Sequence, residues 1–273
     1  MSNICFIGGG NMARAIIGGL LARESTAGQS LSISVAEPMK AGRAELESQF
    51  QVKTFTNGRD AIAGAETIVL AVKPQIIPLV LQQLKDNLQT EQLLISVAAG
   101  TTCQTIETEI GRKATIIRAM PNLPAIIGAG ITGVFANKQC QQKHRQQAQD
   151  ILSTVGQVIW IDKENLIDAV TAVSGSGPAY VFYLIESMRD AGVAAGLDFD
   201  TATQLALHTV VGSGKLAQQE NTDVSELRRQ VTSPGGTTAA AIAVLDEASC
   251  DAIFKQAVLT ARDRARELSG TSA

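Results

Sequence analysis

Short, continuous apolar runs alternate with segments of helical periodicity through the first part of the chain. The runs that predict strands are residues 3–8, 31–37, 66–72, 92–99 and 114–120. Segments between them, at residues 10–23, 40–50 and 74–88, place apolar side chains at helical spacing. Strands without polar alternation are typical of sheets covered on both faces. The pattern therefore predicts an α/β domain with a parallel, doubly wound sheet and right-handed crossovers.

Further along the chain, helical periodicity replaces the strand pattern. The last strand candidates are residues 130–136 and 156–161, on either side of a Gln-rich helix predicted at about 138–154. The helices predicted after them are 164–173, 178–195, 200–219, 223–231, 237–247 and 249–268. We therefore expect two domains, an α/β domain at residues 1–162 and an all-α domain at residues 163–273.

Composition and charge exclude several classes of protein. With 45% apolar and 18% charged residues among 273, the chain can bury a sizeable core. A formal net charge of −3 gives no general attraction to nucleic acid or to anionic membranes. Four widely spaced cysteines and two histidines predict neither a metal site nor a disulfide framework. The apolar N-terminal stretch, interrupted by Asn11 and Arg14, is interpreted as folded structure, and we expect a reducing, cytoplasmic location.

A glycine-rich turn follows the first predicted strand. Gly8, Gly10 and Ala13 have the G-x-G-x-x-A spacing where the strand gives way to a helix. The first glycine permits a tight turn, the second lets the backbone approach a pyrophosphate, and the small third residue allows close helix–strand packing. At the start of a βαβ series this spacing predicts a dinucleotide site in a Rossmann-type domain.

Charged residues after the second predicted strand bear on the choice of dinucleotide. Glu37 stands where an acidic group would bind the adenosine ribose and favour a free 2'-hydroxyl, hence NADH. Lys40 and Arg43, just beyond, could instead pair with a 2'-phosphate, hence NADPH, or could simply lie on an exposed helix face. The residues alone leave the choice open.

Two later strands end in residues suited to a ligand. "LAVKPQ" at 70–75 closes one strand with a Lys-Pro pair, and "SVAAGTT" at 96–102 closes the next with small residues. Ligands of open α/β sheets bind beyond the carboxyl ends of the strands. Small residues there would let a flat nicotinamide or ribose lie against the backbone, although tight packing alone would also explain them.

Two glycine-containing segments precede helices in the C-terminal part. Gly175-Ser176-Gly177-Pro178 comes before a long apolar helix, with Pro178 at a favoured first position. Ser233-Pro234-Gly235-Gly236-Thr237-Thr238 comes before an Ala-rich helix. Unpaired backbone N–H groups at such a helix start can receive an anion, and an ordinary N-cap is the alternative explanation.

Taken together and in order, these motifs resemble the pyrroline-5-carboxylate reductase family. The motifs that carry the resemblance span nearly the whole chain and are "FIGGGNM", "AVKPQ", "SVAAGTT", "RAMPNLPA", "VSGSGPAYVF" and "SPGGTT". The last, close after the "GSGPAY" helix, is far more specific than the glycine turn. The resemblance implies reduction of L-1-pyrroline-5-carboxylate to L-proline, the last step of proline biosynthesis. The expected cofactor is NADPH, with NADH as the alternative. It also implies a homodimer built from interlocked helical domains, often in a decamer of five dimers.

The resemblance further implies the site residues. Those expected to contact the cofactor are Ile7, Gly8, Gly9, Gly10, Asn11, Met12, Glu37, Asn57, Ala71, Val72, Lys73, Pro74, Val97, Ala98 and Ala99. The resemblance places Thr237 and Thr238 at the substrate, with Glu164 nearby, and the helix start adds Gly235 and Gly236 to the expected substrate contacts. No metal ligand is expected.

The chemistry of a cyclic imine that bears a carboxylate gives these residues roles. It needs an anion receptor, a hydride donor over one face and a partner for the ring nitrogen. Backbone N–H groups from Gly235 to Thr238 would bind the carboxylate, and the Thr238 hydroxyl would be the catalytic group that hydrogen-bonds the nitrogen. A reductase of another cyclic imino acid, and a nicotinamide-nucleotide sensor without turnover, are the alternatives.

Overall fold

The computed structural model describes residues 2–27, 31–220 and 222–270. Within these residues, eight strands form one sheet in the order β3-β2-β1-β4-β5-β6-β7-β8. The strands are β1 (Ser2–Ile7), β2 (Leu31–Ala36), β3 (Lys53–Phe55), β4 (Thr67–Leu70), β5 (Leu93–Ser96), β6 (Thr115–Met120), β7 (Gly130–Ala136) and β8 (Gly156–Trp160). The helices between them are α1 (Asn11–Ala27), α2 (Lys40–Phe50), α3 (Gly58–Ala61), α4 (Ile77–Leu84), α5 (Cys103–Ile110) and α6 (Gln142–Leu152).

The expected parallel sheet is confirmed for every neighbouring pair of these strands except one. β7 runs antiparallel to β6 and parallel to β8. Only a short 3-10 turn, Leu123–Ile127, lies between β6 and β7, whereas a parallel connection would need a crossover of about a dozen residues. The chain therefore reverses direction at this point.

Both faces of the sheet are covered, as the unbroken apolar runs predict. One buried cluster includes Phe6, Ile16 and Ile117, and the other includes Ile7, Leu70 and Ile116. Successive strand residues such as Ile116 and Ile117 point to opposite faces, so a central strand such as β6 contributes to both clusters. The doubly wound α/β fold class is confirmed.

The C-terminal part is helical, again as expected. Its helices are α7 (Ile167–Val170), α8 (Gly177–Ala194), α9 (Phe199–Gln219), α10 (Val224–Gln230), α11 (Thr237–Glu247) and α12 (Cys250–Ser269). The single helix predicted at 164–173 is wrong in detail. A 3-10 turn, Glu164–Leu166, precedes α7, and a π-helical turn, Thr171–Gly175, follows it. Because 3-10, α and π turns all place side chains at similar spacing, periodicity does not distinguish them.

Backbone contacts divide the chain into two compact units. The first, here called the N-terminal unit, holds residues up to Gly175 together with those from Ala261 onward, and the second, the helical unit, is Ser176–Thr260. The domain boundary expected between residues 162 and 163 stays a prediction. No helix in the described part of the chain combines the length and apolar character needed to cross a bilayer.

Candidate functional site

The turn between β1 and α1 has the geometry that a dinucleotide loop needs. Gly8 adopts φ +100°, and a Cβ there would lie 2.8 Å from both the Ala71 carbonyl oxygen and Val72 Cγ1. At Gly10, by contrast, no described residue beyond its chain neighbours has an atom within 4 Å of the place a Cβ would take. The first glycine is therefore required by a close backbone approach, and the second leaves the start of α1 open to a phosphate group.

Glu37 is bound to this loop. Its Oε2 accepts a hydrogen bond of 3.2 Å from the Gly9 N–H, and its Oε1 accepts one of 2.9 Å from the Met39 N–H. Nη1 of Arg43 donates to the carbonyl oxygens of Glu37 at 2.9 Å and Pro38 at 2.8 Å. The acidic and basic candidates for binding the adenosine ribose thus lie beside one another at the end of β2, while Lys40 is exposed at the start of α2.

The other predicted cofactor residues also follow the carboxyl ends of strands. Ala71 N–H donates to Ile7 O at 2.9 Å and Val97 N–H to Leu70 O at 3.1 Å, so the ends of β1, β4 and β5 are in register. Lys73 is exposed directly before the 3-10 turn Pro74–Ile76. Asn57 caps α3, its Oδ1 accepting from the Asp60 N–H at 3.0 Å. Five neighbouring strands, β1 to β5, therefore present their predicted residues at one edge of the sheet.

These residues fit a nicotinamide dinucleotide. The open space at Gly10 and the unpaired N–H groups of the first turn of α1 suit a pyrophosphate. The small residues Ala98 and Ala99 after β5 leave room for a flat ring against the backbone. A bound dinucleotide would lie across the carboxyl edge, from Glu37 at one end to the loop after β5 at the other.

Glu164, expected near the substrate, lies in a cluster of charges at the same edge. Its Oε1 accepts a 2.7 Å hydrogen bond from the N–H of Cys103, the first residue of α5. Nη1 of Arg118 lies 3.5 Å from this Oε1, and Nη2 of Arg118 lies 3.5 Å from Oδ1 of Asp168. The sequence analysis missed Arg118 and Asp168. A charged residue inside the apolar strand "ATIIRAM" is the signal that could have indicated them.

Three cysteines of the N-terminal unit are held as thiols. Burial raises the pKa of Cys5 and of Cys140 to about 11. Burial first, and then the charge of Glu164, raises the pKa of Cys103 still further. A protonated thiol is a poor nucleophile, so these three cysteines are not suited to covalent catalysis.

The segment "SPGGTT" lies in the helical unit and begins α11. Gly235 adopts φ +72°, which favours glycine, and Gly236 is the N-cap residue of the helix. The Gly236 N–H donates to the Ser233 carbonyl at 3.0 Å, so it is used within the turn. Within the described residues, no side chain caps the start of α11. The N–H groups of Thr237 and Thr238 therefore remain as the natural receptors for an anion.

Two family models match the chain. The model described as "Pyrroline-5-carboxylate reductase dimerisation" matches residues 164–268, and "NADP oxidoreductase coenzyme F420-dependent" matches residues 3–100. The first contains both Glu164 and "SPGGTT", and the second contains the glycine loop and the ends of β4 and β5.

Individual relatives match over almost the full length. A pyrroline-5-carboxylate reductase of Pseudomonas aeruginosa is 42% identical over 97% of this chain and 96% of that protein. A structure of a pyrroline-5-carboxylate reductase from Coxiella burnetii is similar with a TM-score of 0.92 at 41% identity, covering 98% of both chains. One from Plasmodium falciparum, solved with NADP bound, gives 0.84 at 29% identity over 98% of both. The chain therefore belongs to the pyrroline-5-carboxylate reductase family.

Proposed function

We propose that this NAD(P)-dependent oxidoreductase reduces L-1-pyrroline-5-carboxylate to L-proline, with NADPH as the hydride source and NADH as an alternative. The observation that carries the proposal is the extent of the likeness. At 42% identity over 97% of the chain, it includes both the dinucleotide loop and the uncapped start of α11. A cofactor site alone would fit many dehydrogenases, whereas a second anion receptor in the helical unit matches a substrate that carries a carboxylate.

The start of α11 would bind that carboxylate. The N–H groups of Thr237 and Thr238 point out of the first turn, and the helix dipole adds about 0.3–1 kcal/mol in favour of an anion. Each charge-assisted hydrogen bond contributes about 1.5–3 kcal/mol. Gly235 and Gly236, which have no side chains, would let the carboxylate approach the backbone closely.

The Thr238 hydroxyl would bind the ring nitrogen. Thr238 is partly exposed in the first turn of α11, and its hydroxyl can both donate and accept a hydrogen bond. The same group can thus hold the nitrogen before the reaction, as an imine, and after it, as an amine. A bound dihydronicotinamide would supply the hydride to the carbon of the protonated C=N bond, and the proton already on the nitrogen becomes the N–H of the amine.

We also propose that the active form is a homodimer, arranged further as five dimers. The helical unit buries little of its own apolar surface. Tyr183 is 71% exposed, Ile253 62% and Phe254 53%. A second copy of the chain would cover such side chains, which agrees with the dimerisation model that matches this part. We place the protein in the cytoplasm, since its four cysteines are free.

Steady-state oxidation of NADPH and of NADH by the purified protein, each with pyrroline-5-carboxylate, tests the proposal. We expect turnover with both cofactors. A six-membered cyclic imino acid serves as the comparison substrate, and efficient turnover of that compound alone would replace the proposed substrate. Nucleotide binding without turnover of either imine would overturn the enzymatic proposal and favour a sensor.

A further inference from the structure

A charged cluster lies inside the N-terminal unit, and the proposed chemistry gives two of its members, Arg118 and Asp168, no role. Arg118 stands two residues before the end of β6, and its side chain is 3% exposed. Its partners are Asp168, whose side chain is 2% exposed, and Glu164, at 26%. Buried ion pairs seldom add stability compared with apolar side chains of the same size. A requirement to hold Glu164 and Asp168 in specific positions is a better explanation for a buried ion pair here.

Glu164 connects Arg118 to the predicted nicotinamide loop. The loop Val97–Thr102 follows β5 and leads into α5, whose first N–H, that of Cys103, donates to Glu164 Oε1. Arg118 lies 3.5 Å from the same oxygen. Any movement of Glu164 would therefore shift the end of this loop through the hydrogen bond to Cys103.

Asp168 connects Arg118 to the helical segment that follows β8. It lies in α7, which continues directly into the π-helical turn Thr171–Gly175. Gly175 packs on β6, since a Cβ at Gly175 would lie 2.6 Å from Cε of Met120. Arg118 and Met120 are two residues apart in a strand and so project from the same face. The segment Glu164–Gly175 is thus attached to β6 through both residues.

The ion pair with Asp168 has room to tighten. Nη2 of Arg118 and Oδ1 of Asp168 are buried, and among the described residues neither atom has a hydrogen-bond partner. Their separation of 3.5 Å exceeds the roughly 2.7–2.9 Å of a charge-assisted hydrogen bond. The attraction between the two charges therefore holds the segment toward β6.

We propose that Arg118 is a positioning residue for hydride transfer. By holding Glu164 and Asp168 with the two arms of one guanidinium, it fixes the segment Glu164–Gly175 against the loop Val97–Thr102. This inference rests on the proposed function, because the loop is the predicted nicotinamide site and Glu164 a predicted substrate residue. Arg118 touches neither ligand in this account and acts through its two carboxylates.

The test compares Arg118→Lys with the normal enzyme. A lysine keeps the positive charge but has one ammonium group, which cannot hold two carboxylates in a planar fork. We expect kcat to fall roughly 10- to 100-fold, because small misplacements at a reacting centre have effects of this size. The deuterium isotope effect on kcat, measured with cofactor labelled at the transferred hydrogen, should rise as hydride transfer becomes slower. The dissociation constant for NADPH should change little.

A matched control and a second variant separate positioning from folding. Arg23 and Asp150 form an ion pair of the same 3.5 Å length with both side chains about half exposed, and Arg23→Lys should change neither kcat nor the isotope effect. The double variant Arg118→Met/Asp168→Leu removes the buried charges together, so it should fold. We expect this folded variant to show the same loss of kcat and the same larger isotope effect.

The outcomes distinguish this inference from the proposed function. No turnover by the normal enzyme would overturn the proposed function itself. Turnover by the normal enzyme, with an unchanged kcat and isotope effect in folded Arg118→Lys and in the double variant, would show that Arg118 only stabilises the fold and would overturn the positioning role.

Discussion

The N-terminal unit and the helical unit bury their apolar residues to very different extents. In the N-terminal unit, Phe6, Ile16 and Leu81 are fully buried in clusters on the two faces of the sheet. Among the described residues of the helical unit, only Ala202 and Ala206 are buried. The first unit thus has a core of its own, whereas the second exposes the apolar side chains that the proposed dimer would bury.

The largest expected effect follows from placing a charge on the exposed apolar surface of the helical unit. Ile253→Glu should prevent dimer formation, because a carboxylate without a partner in a buried interface costs about 3–5 kcal/mol. The matched control is Leu79→Glu, since Leu79 is 58% exposed on α4 and Ile253 is 62% exposed. Sedimentation velocity should give a smaller species for the first variant alone. If both variants, or neither, gave the smaller species, the contrast between the two units would be contradicted.

Truncating one leucine in each unit sharpens the same contrast. Leu81→Ala removes a side chain with 0% exposure and should cost about 2–5 kcal/mol. Leu205 is 54% exposed in α9, so Leu205→Ala should lower the stability of the protein only by weakening the dimer. Thermal unfolding at several protein concentrations checks this. The shift caused by Leu205→Ala should depend on concentration, and that caused by Leu81→Ala should not.

The proposed function assigns the carboxylate and ring-nitrogen contacts of the imine to the start of α11, in the helical unit. Thr238→Ala should cost about 1–3 kcal/mol of transition-state binding, or roughly 5- to 150-fold in kcat/KM for the imine, because one hydrogen bond to the ring nitrogen is lost. NADPH affinity should stay the same. Thr203→Ala is the control, as the Thr203 hydroxyl donates to the Phe199 carbonyl of its own helix, at 2.7 Å. An unchanged kcat/KM would remove Thr238 from the mechanism.

The smallest expected effect is on the pH dependence of the stability of the N-terminal unit. Burial, and then the charge of Lys143, lowers the pKa of His144 below its usual 6.5. Its Nδ1 accepts from the Gln141 N–H at the start of α6, which only the neutral ring can do. Since the folded pKa is the lower one, this stability is complete above about pH 6.5 and is lost as the pH falls through the folded value. His144→Gln should reduce that loss in melting temperatures measured between neutral and mildly acid pH.

Local pattern predicted most of the N-terminal unit correctly. Apolar runs located seven of the eight described strands and missed the short β3, because a strand buried on both faces is mostly apolar, and the G-x-G-x-x-A spacing located the turn at Gly8. The direction of β7 was not predicted correctly, because periodicity is the same for parallel and antiparallel strands. The length of the turn before it was the available clue.

The sequence by itself determined the fold class, the edge of the sheet where the cofactor residues gather, and the family. These depend on the spacing of residue types along the chain, which is local information. Only the tertiary structure decided that Arg118, Asp168 and Glu164 meet, that Glu37 is bound to Gly9, and that the Gly236 N–H is already used. The physical reason is that hydrogen bonds and ion pairs depend on distances of a few ångströms between residues far apart in the chain, which only the packing of strands and helices sets.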